Sequence, residues 1–134
     1  MSKKTFIVFG LMVLLLAGLI PWLVFRADGD ASTGAQEVPA SLASGQSLFQ
    51  TNCGNCHALY AAGTDGNFAP DLDELLAENG PATESAIPAL KSRVLNAIDK
   101  GVDGTTPGRM PAGILNGEQA EEVAEFVART AGEG

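Results

Sequence analysis

The segment GQSLFQTNCGNCH, Gly45 to His57, contains both cysteines and the single histidine of the 134-residue chain. They fall together as Cys53-Gly54-Asn55-Cys56-His57. Cys-x-x-Cys-His is the attachment signature of a c-type haem. Each thiol adds to a porphyrin vinyl group, a helical two-residue gap matches the spacing of the vinyls, and the adjacent imidazole lies against the iron as proximal ligand. Three other readings stay open on these residues alone. A thioredoxin-like redox pair calls for a βαβ context, and strand signals are almost absent. A structural zinc site needs two more Cys or His, which the chain does not have. A Cys53–Cys56 disulfide is sterically possible in an exported protein but gives the neighbouring histidine no role.

Upstream, the 21 consecutive residues from Thr5 to Phe25 carry no charge. As a helix they extend about 31 Å, close to the thickness of a bilayer core. Lys3 and Lys4 precede the run, and Arg26, Asp28 and Asp30 follow it. The positive-inside rule therefore predicts a single-pass transmembrane anchor over residues 1–26 of a bacterial cytoplasmic membrane. The N-terminus is then cytoplasmic and the remainder lies on the periplasmic or extracellular side. Trp22 and Phe25 stand where an outer interfacial belt belongs. A cleaved signal peptide shares the basic start and apolar stretch; the length of the run and the lack of an Ala-x-Ala site favour retention. Residues 27–40, which include DGDASTGAQEV from Asp28 to Val38, read as a flexible linker, and residues 41–134 as the functional domain.

The full chain has 8 basic and 16 acidic residues, a net charge of −8. From Ala27 onward only five basic residues (Lys91, Arg93, Lys100, Arg109 and Arg129) stand against all 16 acidic ones, a net −11. No positive stripe is present to neutralise phosphates, so a nucleic-acid partner is not expected. Such a surface can simply be solvated, or it can dock on basic patches of partner proteins, with an encounter rate that falls as salt is added.

The sixth iron ligand follows by elimination. Met1 is the start and Met12 lies in the apolar run, which leaves Met110 as the one thioether available to an exported haem. It sits in Gly108-Arg109-Met110-Pro111-Ala112-Gly113, a Gly/Pro loop with no helical stripe for a core-filling Met to join. The alternative is a Met that packs in a loop and leaves the iron five-coordinate. Arg109 and Arg93 are candidates to pair with haem propionates, or are solvated.

Helical spacing predicts four helices beyond the apolar run. Ser41 is a candidate N-cap, followed by Gly45, Leu48, Phe49, Asn52 and Cys53 on one face. Asp71-x-x-Glu74 with Leu72, Leu75 and Leu76 marks a short helix ending at Asn79-Gly80. A third starts near Pro88, carries Leu90, Val94, Ala97 and Ile98, and stops at Gly101. The last has Asn116 as cap with Gln119 at N3, a buried stripe of Ala120, Val123, Ala124 and Val127, and Phe126 at its flank. Only Phe49, Tyr60, Phe68 and Phe126 supply aromatic bulk outside the anchor. That is meagre for a unit of about 95 residues, and a porphyrin tied at Cys53 and Cys56 makes up the deficit.

With these motifs in place, the chain resembles the class I c-type cytochromes, and more closely the small bacterial membrane-anchored monohaem cytochromes c, over about residues 41–131. Gly45, Phe49 and Cys53 stand at the intervals of the family's Gly-x-x-x-Phe-x-x-x-Cys helix. Ala69-Pro70-Asp71-Leu72 stands where the family has Gly-Pro-x-Leu, with Ala69 in place of Gly, and Met110-Pro111 matches its Met-Pro ligand loop. The resemblance implies an all-α class I cytochrome c fold. First and last helices cross, with Gly45 against the Phe126 region, and further helices surround one covalently bound haem c, all preceded by the transmembrane helix. It implies Cys53, Cys56, His57, Met110 and Pro70 as haem-binding residues. His57 and Met110 hold the iron, and the Pro70 carbonyl accepts the imidazole N–H.

The implied activity is electron transfer rather than enzymatic catalysis, with no small-molecule substrate. The membrane-tethered carrier takes single electrons from a quinol-oxidising complex and delivers them to a terminal oxidase or similar acceptor, these redox complexes presenting basic docking surfaces. The alternatives are a fixed cytochrome c subunit of a larger respiratory or photosynthetic complex and, if Met110 does not ligate, a haem enzyme or gas sensor.

Overall fold

The computed structural model describes residues 3–26, 35–103 and 109–134, and the chain divides into two compact units, residues 1–32 and 33–134. The first unit holds helix α1, Lys3–Arg26. Its described aliphatic side chains are exposed all round the helix. Over Lys3–Ile20 it is long and apolar enough to cross a membrane, properties that a membrane anchor and a secretion signal share.

The second unit contains α2 (Ala43–Asn52), two two-residue strands β1 (Ala58–Leu59) and β2 (Thr64–Asp65), α3 (Leu72–Leu76), α4 (Ile87–Lys100) and α5 (Gly117–Thr130). A single 3-10 turn, Tyr60–Ala62, joins the antiparallel strands, in register Ala58 with Asp65 and Leu59 with Thr64. The fold is thus mostly helical, with a miniature hairpin that no hydrophobic alternation announces.

Helix α5 is the centre of the packing, lying against both α4 and α2. Because it is covered from two sides, its buried arc is wider than one amphipathic stripe. Ala120, Val123, Ala124, Val127 and Ala128 are buried, and Phe126 lies fully inside rather than at the flank that helical periodicity suggests. Thr130 is buried too, its hydroxyl donating to the Phe126 carbonyl at 2.8 Å, so no polar atom is stranded. Phe126 meets Phe49 of α2 edge-to-face, ring centroids 6.1 Å apart.

The α2–α5 crossing depends on Gly45. A Cβ there would collide with the Glu122 carbonyl oxygen and come within 2.8 Å of the Phe126 Cβ. A side chain at position 45 would therefore hold the two helices apart and open the Phe49–Phe126 contact.

Several local expectations are revised. Ser41 does not cap α2: the chain enters the helix through a turn, with Leu42 at the N-cap in αR geometry and its N–H donating to the Pro39 carbonyl at 2.8 Å. The turn carbonyls satisfy amides that a serine would otherwise bond. Asn116 does occupy the N-cap of α5, but its side chain makes no cap bond, so the box with Gln119 does not form. Helix α3 stops at Leu76, earlier than Asn79-Gly80, and Leu75 points out at 47% exposure. Its start is as expected, with the Asp71 carboxylate accepting from the Asp73 and Glu74 amides. Helix α4 begins one residue before Pro88 and ends at Gly101, with Ile98 buried. Of the stretch assigned to the linker, residues 27–34 lie outside the described residues. Residues 36–40 belong to the domain: the Gln46 amide donates to the Gln36 carbonyl at 2.8 Å and Val38 packs on the core.

Across α4 and α5, Lys91 lies 3.4 Å from both Glu121 and Glu125, and Arg129 pairs with Glu125 and, at 3.4 Å, with Glu84. The Arg129 hydrogen bond, helped by Lys91, holds the Glu125 carboxyl below its ordinary range despite partial desolvation.

Two outcomes follow from this packing. Gly45→Ala should lower the denaturation free energy of the haem-loaded protein by roughly 1–3 kcal/mol or more, the cost of overpacking a tight contact; a denaturant melt measures it. The native Glu125 pKa is depressed, so its contribution is present above the unfolded carboxylate value of about 4.3 and is lost as pH falls through the lower native value. Glu125→Gln should accordingly destabilise at neutral pH, and its gap from the parent should close on acidification, as read by melting temperature against pH.

Candidate haem-attachment site

The Cys-x-x-Cys-His segment continues the course of α2. The Cys53 N–H donates to the Phe49 carbonyl at 2.8 Å, and the Cys53 carbonyl in turn accepts from the Cys56 and His57 amides at 3.0 and 2.9 Å. This extra helical turn places the two thiols and the imidazole around one small arc. The hairpin folds back on it closely. A Cβ at Gly54 would meet the Thr64 methyl at 2.5 Å, and one at Gly66 would come within 2.7 Å of the His57 nitrogen.

His57 Nδ1 lies 2.8 Å from the Pro70 carbonyl oxygen. A carbonyl can only accept, so Nδ1 carries the proton and the lone pair is left on Nε2. That bond fixes the ring's orientation and tautomer, as an outer partner does for a ligating histidine. Pro70 is itself held from both sides. The Ala69 N–H donates to the Cys56 carbonyl at 2.9 Å, and Asp71 caps α3 immediately afterwards.

Cys53 is half-buried, and burial, reinforced by the neighbouring Cys56, pushes its thiol up to about 11. Such a thiol stays protonated at neutral pH, unlike the low-pKa cysteine of a thiol–disulfide catalyst. The two short antiparallel strands also provide no βαβ unit. Among the described residues no group of three or more His, Cys, Asp or Glu side chains is placed to hold a metal ion, so the zinc reading finds no ligand set.

Met110 is positioned by a different element. Its N–H donates to the Val102 carbonyl at 3.1 Å and its carbonyl accepts from the Val102 N–H at 3.0 Å, an isolated antiparallel bridge. Met110 packs half-buried against the core cluster that Cys53 also adjoins. Arg109 points the other way into an exposed ion pair with Asp103 at 2.8 Å. Gly108 lies outside the described residues.

These residues fit a covalently attached haem. Two thiols and an oriented imidazole share one turn, and a thioether is held on the same core. Half-buried Leu72, Leu76, Val94 and Leu95 flank that core. Phe68 and Val102 are 64% and 49% exposed, apolar surface of the kind a porphyrin would cover.

Sequence reasoning overlooked the polar braces. Gln46 and Gln50, one turn apart on α2, donate to the Ala61 and Ala62 carbonyls at 2.7 and 2.9 Å and fasten the segment after His57. Their i, i+4 spacing on the helix carrying the cysteines was the available signal. Asp73 accepts from the Tyr60 and Gly132 amides, both at 2.7 Å, tying that segment to the chain's end. Nothing local announces a contact across that many residues.

A mostly helical domain that closes on a Cys-x-x-Cys-His turn, a carbonyl-oriented histidine and a looped methionine is a c-type cytochrome. The cytochrome c family model matches residues 42–131, and the chain belongs to that family. Its cofactor is a covalently bound haem c. Among solved structures, the chain is 32% identical to the c-type cytochrome SorU from Sinorhizobium meliloti, with a TM-score of 0.50, over 69% of this chain and 92% of that one. No curated protein matches.

The largest fully buried side chains are only Phe49, Phe126, Leu59, Val123 and Val127, a small core for this unit. The Cys53→Ala, Cys56→Ala chain, which cannot be loaded, should therefore be unfolded or degraded after export. A compact apoprotein that melts cooperatively by circular dichroism would overturn this.

Proposed function

We propose that this cytochrome c is a membrane-tethered monohaem electron carrier on the outer side of the bacterial cytoplasmic membrane. It takes electrons from a quinol-oxidising complex and passes them to a terminal oxidase or similar acceptor. The observation that carries the carrier reading is the hold on Met110, fixed by two backbone bonds to Val102 and half-buried on the core.

In this reading His57 Nε2 and the Met110 sulfur are the two axial ligands, with Cys53 and Cys56 as the thioether anchors and Pro70 as the orienting acceptor. When bound, the haem supplies a reversible one-electron couple. The chain's own residues decide how that couple is used. With both axial positions taken by protein, no site remains for oxygen or peroxide, which leaves outer-sphere electron transfer. Thioether ligation and burial both favour the less charged ferrous site and raise the potential.

Helix α1 supports the tether. Its apolar run follows Lys3 and Lys4, and a retained anchor keeps the haem domain concentrated near membrane partners. The acidic domain favours partners with basic docking surfaces.

The test uses the full-length haem-loaded protein. Its reduced-minus-oxidised haem spectrum should stay with the membrane through high-salt washing, while a version with α1 replaced by a cleavable export signal should appear in the soluble fraction. In the same preparation Met110→Ala should abolish the ferric sulfur-to-iron charge-transfer band and lower the potential. A full-length protein released without detergent would refute the tether, and an unchanged band in the variant would refute the ligand assignment.

A further inference from the structure

Gly101 ends α4 with φ +70° and ψ 177°, a backbone region that L side chains scarcely enter. Its conformation alone would explain a glycine, but its surroundings add a second constraint. A Cβ at this position would stand 2.5 Å from the Met110 carbonyl oxygen, 2.9 Å from the Ala112 nitrogen and 3.1 Å from the Pro111 carbonyl carbon. All three are backbone atoms of one short segment, and the nearest falls about 0.9 Å short of an ordinary 3.4 Å contact.

We infer that Gly101 is a positioning residue for the axial thioether: its missing side chain is the slot through which the Met110 segment passes, and that slot sets how firmly Met110 is held. This rests on Met110 being the sixth ligand, as proposed above.

The mechanical argument turns on which side yields. Helix α4 is anchored by buried Ile87 and Ile98 and by its packing on α5. The Met110 segment is held by the two bonds to Val102 and by the Gly113 N–H on the Ile98 carbonyl at 2.8 Å. A methyl group at position 101 would thus displace the loop rather than the helix. Metal–ligand distances tolerate only about 0.2 Å. A displacement several times larger must be absorbed by the methionine's own rotations or by loss of the sulfur, and either makes the ligand easier to remove. The proximal side is untouched, because His57 is fixed through Cys53, Cys56 and Pro70.

The experiment compares haem-loaded Gly101→Ala with Met110→Ala and Gly80→Ala, the last as control. Gly80 also has positive φ, +95°, but a Cβ there meets nothing within 4 Å, so it imposes backbone strain without a collision. Three quantities are read: the ferric sulfur-to-iron charge-transfer band, the potential, and the rate at which saturating imidazole replaces the ferric ligand. Gly101→Ala should weaken the band, lower the potential and raise the replacement rate at least tenfold. Gly80→Ala should leave all three at the parent values even if it melts earlier.

If Met110→Ala loses the band and Gly101→Ala matches the parent, the slot is refuted while the ligand stands. Equal losses in Gly101→Ala and Gly80→Ala also refute it, since strain alone would then suffice. A parent-like band in Met110→Ala refutes the underlying ligand assignment instead. Should Gly101→Ala fail to accumulate, the parent protein carries the test by amide hydrogen exchange. Saturating imidazole should speed exchange at Val102 and Met110 at least tenfold relative to the α2–α5 amides, and unchanged exchange overturns the proposal.

Discussion

The close crossing of α2 over α5 at Gly45 is the constraint from which the haem site takes its dimensions. Helix α5 also packs along α4, so it acts as a common beam between two outgoing arms. The C-terminal end of α2 runs directly into Cys53, Cys56 and His57. The C-terminal end of α4 turns at Gly101 beside Met110. Neither arm touches the other's ligand through a printed hydrogen bond; each is referred to α5. A change in helix separation at Gly45 would therefore alter the separation of the proximal and distal arms, even though the glycine contacts neither sulfur nor imidazole.

The surface charge follows a related economy of residues. Lys91, Arg109 and Arg129, three of the five cations after residue 26, are engaged with carboxylates of the same domain. Their fields are locally compensated, and the remaining carboxylates dominate at longer range. Within a Debye length of about 8 Å at physiological salt, an approaching protein meets a net negative surface. Steering of that kind acts on encounter rate and orientation more than on the strength of the final complex, which suits a protein that must release its partner after each electron.

What could be read from the sequence, and what could not, divides along physical lines. The Cys-x-x-Cys-His turn, the Met-Pro loop, the Asp71 cap and the Gly101 stop are local patterns, and each is where spacing or backbone chemistry put it. Gly45 against Phe126 is a long-range contact, but a glycine amid apolar positions of a helix signals a close approach and was legible through the family's pattern. The failures lie where a group's role is settled by remote neighbours. Ser41 lost its cap because Pro39 closes a turn first. Phe126 moved from flank to centre because α5 is covered twice. Gln36 and Val38 left the linker because Gln46 and the core receive them. The Asp73 clasp and the Gly101 slot depend on backbone atoms, Gly132 and Met110, whose proximity no periodicity encodes.

The two sides of the site are consequently held by unequal means. On the proximal side, covalent attachment at two cysteines is followed within one residue by the histidine, whose ring is pinned by a carbonyl that is itself bonded and capped. On the distal side, the methionine comes from a loop secured by backbone hydrogen bonds and by the absence of a methyl group at Gly101. Hydrogen bonds of this type contribute about 1 kcal/mol each net, whereas thioethers do not open at all on the timescale of protein fluctuation. Local opening should begin where the hold is weakest and leave the rest of the fold in place. The domain thus combines a permanent proximal anchor with a distal ligand whose retention is a property of the surrounding backbone, and that backbone is where the chain can tune its potential without changing either ligand.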